Sequence, residues 1–184
     1  MKYKDYVPTI YEYDKEKNLR YVLGNSGKNP LICIGINPNV ACKEYSDRTM
    51  NILISFSKKN NYDSCIMINP YPLICSKPKD LPKELDKDII NKNLIYIEKI
   101  FSEDKEKDVL VMWGDYVLYN EDFKNSVIKI LNLGLKYKMN FFNINNLSKS
   151  GNPYHLMYLC RDKEFNDENY KIKKFDVDKY LEKL

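Results

Sequence analysis

The chain has 184 residues, with 30 Lys and Arg against 26 Asp and Glu, a single His, and a formal charge of +4 at neutral pH. Hydrophobic residues at 43% and aromatics at 13% exclude a disordered chain. At this length one domain buries roughly 70% of the surface its unfolded chain exposes, so the core needs neither disulfide nor metal to hold it. The longest apolar run, Leu31 to Ile36, is far short of the ~20 residues of a bilayer-spanning helix, and Met1 to Asp5 leads into no signal-peptide core. These features predict a cytoplasmic protein with no membrane partner. The small positive surplus does not by itself mark a nucleic-acid footprint.

Cys33, Cys42, Cys65, Cys75 and Cys160 contain no Cys-x-x-Cys pair, and their odd number fits poorly with a closed disulfide set. A reducing compartment is the simpler reading. Cys33 and Cys65 lie in apolar runs, where cysteine acts as a small hydrophobe, and one histidine leaves no zinc cluster of ordinary composition. No metal and no cofactor are expected.

In chain order, residues 18–23 read as an amphipathic strand closed by Gly24-Asn25-Ser26-Gly27, a turn that would return the chain as a hairpin into Leu31–Ile36. The run at 31–36 is continuous rather than alternating, as in a strand covered on both faces, and 65–68 and 109–113 repeat it. Asp47 can cap a helix over 48–60. A second helix, over 83–103, carries Leu85, Ile89, Ile90, Leu94, Ile97, Ile100 and Phe101 at a 3.6-residue period. A third spans 116–132, with Asn120-Glu121-Asp122 as an alternative start, and residues 139–144 supply the fourth sheet strand. From residue 161 onward seven basic residues face seven acidic ones, so the tail is no basic arm, and Asp176 to Leu184 reads as a capped helix that docks on the body.

The alternation predicts one α/β domain over 1–184: an N-terminal hairpin segment (1–30), a core (31–160) and a C-terminal tail and helix (161–184). The expected architecture is a three-layer α/β/α fold. Its mainly parallel four-stranded sheet has the order 2-1-3-4, counting from the strand at 31–36, with residues 18–23 as a hairpin strand near the first.

In such a sheet ligands bind outside the carboxyl ends of the strands. The strands here run out into Gly35-Ile36-Asn37-Pro38-Asn39, Asn69-Pro70, Trp113-Gly114-Asp115 and, through Asn143 to Ser150, Gly151-Asn152-Pro153-Tyr154-His155. Proline bars helix from the residue before it, so each Asn is held extended with its amide aimed from a stiff loop. Taken singly, an Asn-Pro step initiates a turn; three at one sheet edge suggest a site. His155 has no second histidine to share its role as acid, base or anion partner, and it lies beside Tyr154 and Tyr158. Asn37, Asn69 and His155 are expected to line one pocket with Trp113 or Tyr45, although the default reading of Trp113 is core packing.

The set Gly35-Ile36-Asn37-Pro38, Asp47-x-Thr49, Asn69, Trp113-Gly114 and Gly151-x-Pro153-x-His155-x-x-Tyr158 resembles the uncharacterised family called domain of unknown function 1643, from about Val22 to Leu159. That family's first motif is Gly-x-Asn-Pro-Ser-x-Ala and its last Gly-x-Pro-Arg-His-Pro-Leu-Tyr, from which this chain departs at Asn39, Tyr154 and Leu156. More distantly, the motifs are similar to those of the uracil-DNA glycosylase superfamily. That resemblance implies a glycosylase-like fold and hydrolysis of an N-glycosidic bond on a nucleic-acid base or nucleoside. In it Asn37 would orient the attacking water, Asn69 would pair with the base edge, and His155 would stabilise charge on the leaving base. Pro38, Asn152, Trp113, Tyr45 and Tyr158 would complete the binding surface, with residues 153–158 as the loop that enters the duplex.

An amide at 37 can position water but cannot accept its proton, which favours the alternative of a non-catalytic nucleotide or nucleic-acid binding module with the same pocket. Residues 70–83 carry Lys77, Lys79 and Lys83 against Asp80, and residues 145–161 carry Lys149 and Arg161 with no acid. Lys77, Lys79, Lys149 and Arg161 thus read either as an ordinary solvated surface or as contacts to nucleic-acid phosphates.

Overall fold

The computed structural model describes residues 2–3, 6–103, 106–159 and 170–184. Its strands are β1 (Ile10–Asp14), β2 (Leu19–Gly24), β3 (Pro30–Ile34), β4 (Ser64–Ile68), β5 (Asp108–Val111), β6 (Asn140–Ile144) and β7 (Ile172–Lys174). Its helices are α1 (Arg48–Lys59), α2 (Lys87–Glu103), α3 (Glu121–Lys136), α4 (Leu156–Leu159) and α5 (Val177–Lys183). Among these described residues no helix is long and apolar enough to cross a membrane.

The sheet has seven strands rather than four, in the order β1-β2-β4-β3-β5-β6-β7. Its centre, β4-β3-β5-β6, is parallel, while β1 and β2 on one side and β7 on the other are antiparallel. The hairpin expected between residues 18–23 and the first core strand does not form, because both edges of β3 are taken by β4 and β5. Instead β2 pairs with β4, and its hairpin partner is β1, through a turn in which Asn18 takes φ 54°. Gly24 permits the β2–β4 contact: a Cβ there would lie 2.4 Å from the Cys65 carbonyl oxygen. β7 escaped the sequence reading because its three residues are all exposed and carry no apolar alternation.

Alternation along the parallel strands divides the core in two. Ile32, Ile34, Ile66, Ile68, Val109 and Val111 meet Ile97, Phe101, Val127, Ile130 and Tyr180 of α2, α3 and α5. Leu31, Cys33, Cys65, Met67, Leu110 and Phe142 meet Met50, Leu53, Phe56 and Leu156 of α1 and α4. Helices therefore cover both faces of the sheet, as its continuous apolar strands require. Asp47 caps α1 by accepting from Met50 N at 2.9 Å. Asn120, not residue 116, starts α3, accepting from Phe123 N at 2.8 Å, and the preceding Gly114–Leu118 is a 3-10 turn. α5 docks through buried Val177 and Tyr180.

Candidate functional site

β3 and β4 end side by side, with Gly35 N donating to Ile68 O at 3.0 Å. Next to this junction Arg20, Gly35, Asn37, Asn39, Asp47, Thr49, Met50, Met67, Asn69 and His155 line one cavity of about 30 Å³. The three residues expected to converge, Asn37, Asn69 and His155, are therefore found together, drawn from the ends of β3 and β4 and from the loop after β6.

Asn69 is 3% exposed, and its side-chain amide has no hydrogen-bond partner among the described residues. Its backbone carbonyl accepts from Asn93 Nδ2 at 2.8 Å, which anchors the residue while leaving the amide to the cavity. Gly35 makes room for it, since a Cβ at 35 would lie 2.7 Å from Asn69 Oδ1. Asn37 is differently placed. Its Nδ2 donates to Pro38 O at 2.8 Å, Cys75 O at 2.7 Å and Leu73 O at 3.3 Å, latching the loop after β4 to the loop after β3. With both amide hydrogens committed to the backbone, only Oδ1 remains for another partner.

His155 is part-buried at the start of α4, and its Nδ1 accepts from Met157 N at 3.1 Å. The ring proton is thereby assigned to Nε2. Burial holds its pKa down at about 4 against a weaker opposing pull from the Asp47 carboxylate, so the imidazole is neutral at pH 7. The loop carrying His155 is pinned from both sides. Gly114 N, at φ 65°, donates to Pro153 O at 2.8 Å, while Asn152 Nδ2 and Ser148 Oγ both donate to Asp115 Oδ1, at 2.8 and 2.7 Å. Fully buried Asn152 also accepts from Tyr180 Oη at 2.7 Å, so its amide holds the loop rather than facing the cavity.

Two charged residues join the cavity that the strand-end reading did not include. Arg20, in β2, is 3% exposed; its Nη1 donates to Ala41 O at 2.6 Å and its Nε has no hydrogen-bond partner among the described residues. Burial lowers its pKa, and the Asp47 carboxylate opposes that shift. Asp47 combines its capping bond with a second, longer one from Ala41 N at 3.3 Å. In sequence Asp47 stands both as the cap of α1 and in the Asp47-x-Thr49 motif, with no catalytic role attached, and Arg20 stands between apolar neighbours of a strand.

The remaining expected residues lie elsewhere. Trp113 is fully buried on the opposite sheet face, donating from Nε1 to Tyr180 Oη at 2.9 Å, because the β5 alternation groups it with Val109 and Val111. Tyr45 is half exposed and outside the cavity lining, beside a bridge to Lys2. Pro38 is buried under the latch. Tyr158 is 60% exposed and stacks on Tyr154, with ring centroids 5.0 Å apart and planes at 6°. Lys77, Lys79 and Lys149 are exposed, and Arg161 lies outside the described residues.

The cavity thus combines an unpartnered amide, a neutral N–H donor, a guanidinium and a carboxylate in a space that admits one water-sized group. That set can hold a water between a donor and a proton acceptor, or grip one polar atom of a larger ligand. No curated protein and no solved structure matches the chain. A family model described as protein of unknown function (DUF1643) matches residues 20–156, and to that family the chain belongs.

Proposed function

We propose that the cavity belongs to a glycosylase-like hydrolase that cleaves the N-glycosidic bond of a nucleic-acid base or nucleoside. The observation that carries this reading is the buried, unpartnered Asn69 amide sharing one cavity with Asp47 and with the neutral His155. An amide offers both a donor and an acceptor to a base edge. Asp47 supplies the proton acceptor that position 37 lacks: a water attacking the sugar carbon gives its proton to this carboxylate as the carbon–nitrogen bond breaks. The bonding electrons leave with the base, whose developing negative charge meets the Nε2–H of His155. The proton held by Asp47 then passes through solvent to the base anion, which leaves a free base, a sugar hydroxyl and the carboxylate restored.

Asn37 acts in this scheme as the latch that fixes the two strand-end loops. Exposed Tyr158, stacked on part-buried Tyr154, offers a face for base stacking, and Lys77, Lys79, Lys149 and Arg161 are the proposed phosphate contacts.

The commitment of both Asn37 amide hydrogens to backbone carbonyls favours the second reading, a nucleotide or nucleic-acid binding module without turnover. In either reading the cavity of about 30 Å³ is roughly a tenth of the smallest ordinary ligand pockets of ~300 Å³, so a base enters only if the rim opens. Chromatographic detection of free base after incubation with uracil- and hypoxanthine-containing oligonucleotides and nucleosides separates the two. Released base supports the hydrolase; saturable binding with no release supports the binding module.

A further inference from the structure

The described part of the tail, residues 170–184, carries Lys171, Lys173, Lys174, Lys179 and Lys183 against Asp176, Asp178 and Glu182, and four of these lysines gather at one place. β7, α5 and the Asn145–Gly151 loop border a second, half-open cavity of about 580 Å³. This lies within the ~300–1,000 Å³ typical of small-molecule sites. Lys173, Lys174, Lys179 and Lys183 line it against one carboxylate, Asp176, so among the described residues its lining holds a surplus of three positive charges. Asp178 and Glu182, the other acids of α5, are outside the lining.

The four lysines are not equivalent. Lys173 Nζ donates to Asn146 Oδ1 at 2.7 Å and Lys183 Nζ donates to Ser150 O, so these two brace the loop. Asp176 is committed to capping α5 through Lys179 N at 3.1 Å. The ammonium groups of Lys174 and Lys179 have no hydrogen-bond or ion-pair partner among the described residues. Leu147, 37% exposed, and the edges of the buried Phe175 and Tyr180 rings give the cavity an apolar wall, with Lys183 Nζ over the Tyr180 ring at 5.3 Å. Cations without a partner among the described residues, beside an apolar wall in a cavity of this volume, match a ligand with an apolar part and a phosphate.

We propose that this cavity binds a mononucleotide-sized phosphomonoester, its phosphate met by Lys174 and Lys179 and its apolar part set against Leu147 and the edges of Phe175 and Tyr180. The site shares no lining residue with the cavity at the ends of β3 and β4, and its Phe175 and Tyr180 belong to the other core cluster. It stands whether or not the chain is a hydrolase.

The sole tryptophan reports on it, because Trp113 donates to the Tyr180 hydroxyl of that wall. Fluorescence titration of the full chain with adenosine 5′-monophosphate should saturate, with an affinity that falls as salt rises. The exposed pair Lys174→Ala/Lys179→Ala should keep the melting temperature and weaken binding about tenfold or more, while Lys174→Arg/Lys179→Arg should retain it. Adenosine should bind far more weakly than its phosphate. Equal binding of adenosine, unchanged affinity in the alanine pair, or absence of nucleotide binding would each overturn the proposal. Binding of a short single-stranded oligonucleotide in place of the mononucleotide would overturn it too, making this face a nucleic-acid surface.

Discussion

Met157 N donates to His155 Nδ1 at 3.1 Å, and this one bond decides what the only histidine can do. With Nδ1 occupied as an acceptor, the ring offers the cavity an N–H from Nε2 and no lone pair. Burial keeps the ring neutral, so His155 acts as a donor rather than as the cationic anion partner that its position in the sequence suggested.

The sign of the pH dependence follows. The folded pKa, about 4, lies below the ordinary value of 6.5, so folded protein binds fewer protons than unfolded protein between those values. The corresponding stability is fully present above pH 6.5 and is lost as pH falls through 4. For a part-buried ring it amounts to ~1–3 kcal/mol. The single imidazole resonance should not titrate between pH 5.5 and 8 in proton NMR. His155→Gln should flatten the acid limb of a urea-unfolding stability profile over the same residue's window.

Asn37 should behave as a structural latch. Asn37→Ala removes the donors to Leu73 O and Cys75 O and should lower stability by ~1–3 kcal/mol, read as a shift in the urea midpoint. Asn37→Asp should cost more, because a carboxylate would face three carbonyl oxygens with no hydrogen to share.

Much of this layout was legible in the residues themselves. Continuous apolar strands and amphipathic helices announced a covered parallel sheet, and the Asn-Pro steps marked the edge where the cavity lies. What escaped has physical causes. The antiparallel strands depend on pairing partners far away in the chain: β2 joins β4, over forty residues onward, rather than the β3 run that follows it. Arg20 looks like an exposed strand position until the 39–47 loop folds over it and its Nη1 finds Ala41 O. For Asn37 the residue type pointed to the edge correctly, but only the fold shows that its amide is consumed by backbone carbonyls.

Gly35 should be intolerant of the smallest addition. A methyl at 35 would lie 2.7 Å from Asn69 Oδ1, forcing that amide to move within the cavity. Gly35→Ala is expected to retain the circular dichroism spectrum of the wild type and to weaken the base binding proposed for this cavity at least tenfold, roughly the loss of one buried polar contact.

The chain of bonds from Trp113 Nε1 to Tyr180 Oη to Asn152 Oδ1 ties α5 to the loop that carries His155. Tyr180→Phe leaves both the indole N–H and the Asn152 oxygen buried without their partner. A loss of ~1–3 kcal/mol in thermal or urea unfolding is expected, with a shift in tryptophan emission.

The most direct measurement compares the wild type with Asp47→Asn on oligonucleotides containing uracil, hypoxanthine or a mismatch, followed by alkaline strand scission. Asparagine caps a helix about as well as aspartate, so the variant should keep α1 while losing the proton acceptor. Strand breaks at one of the modified positions are predicted for the wild type, falling ~10²–10⁴-fold in Asp47→Asn. No breaks on any oligonucleotide together with no free base from the corresponding nucleosides, or equal cleavage by both proteins, would contradict the hydrolytic role proposed for this cavity.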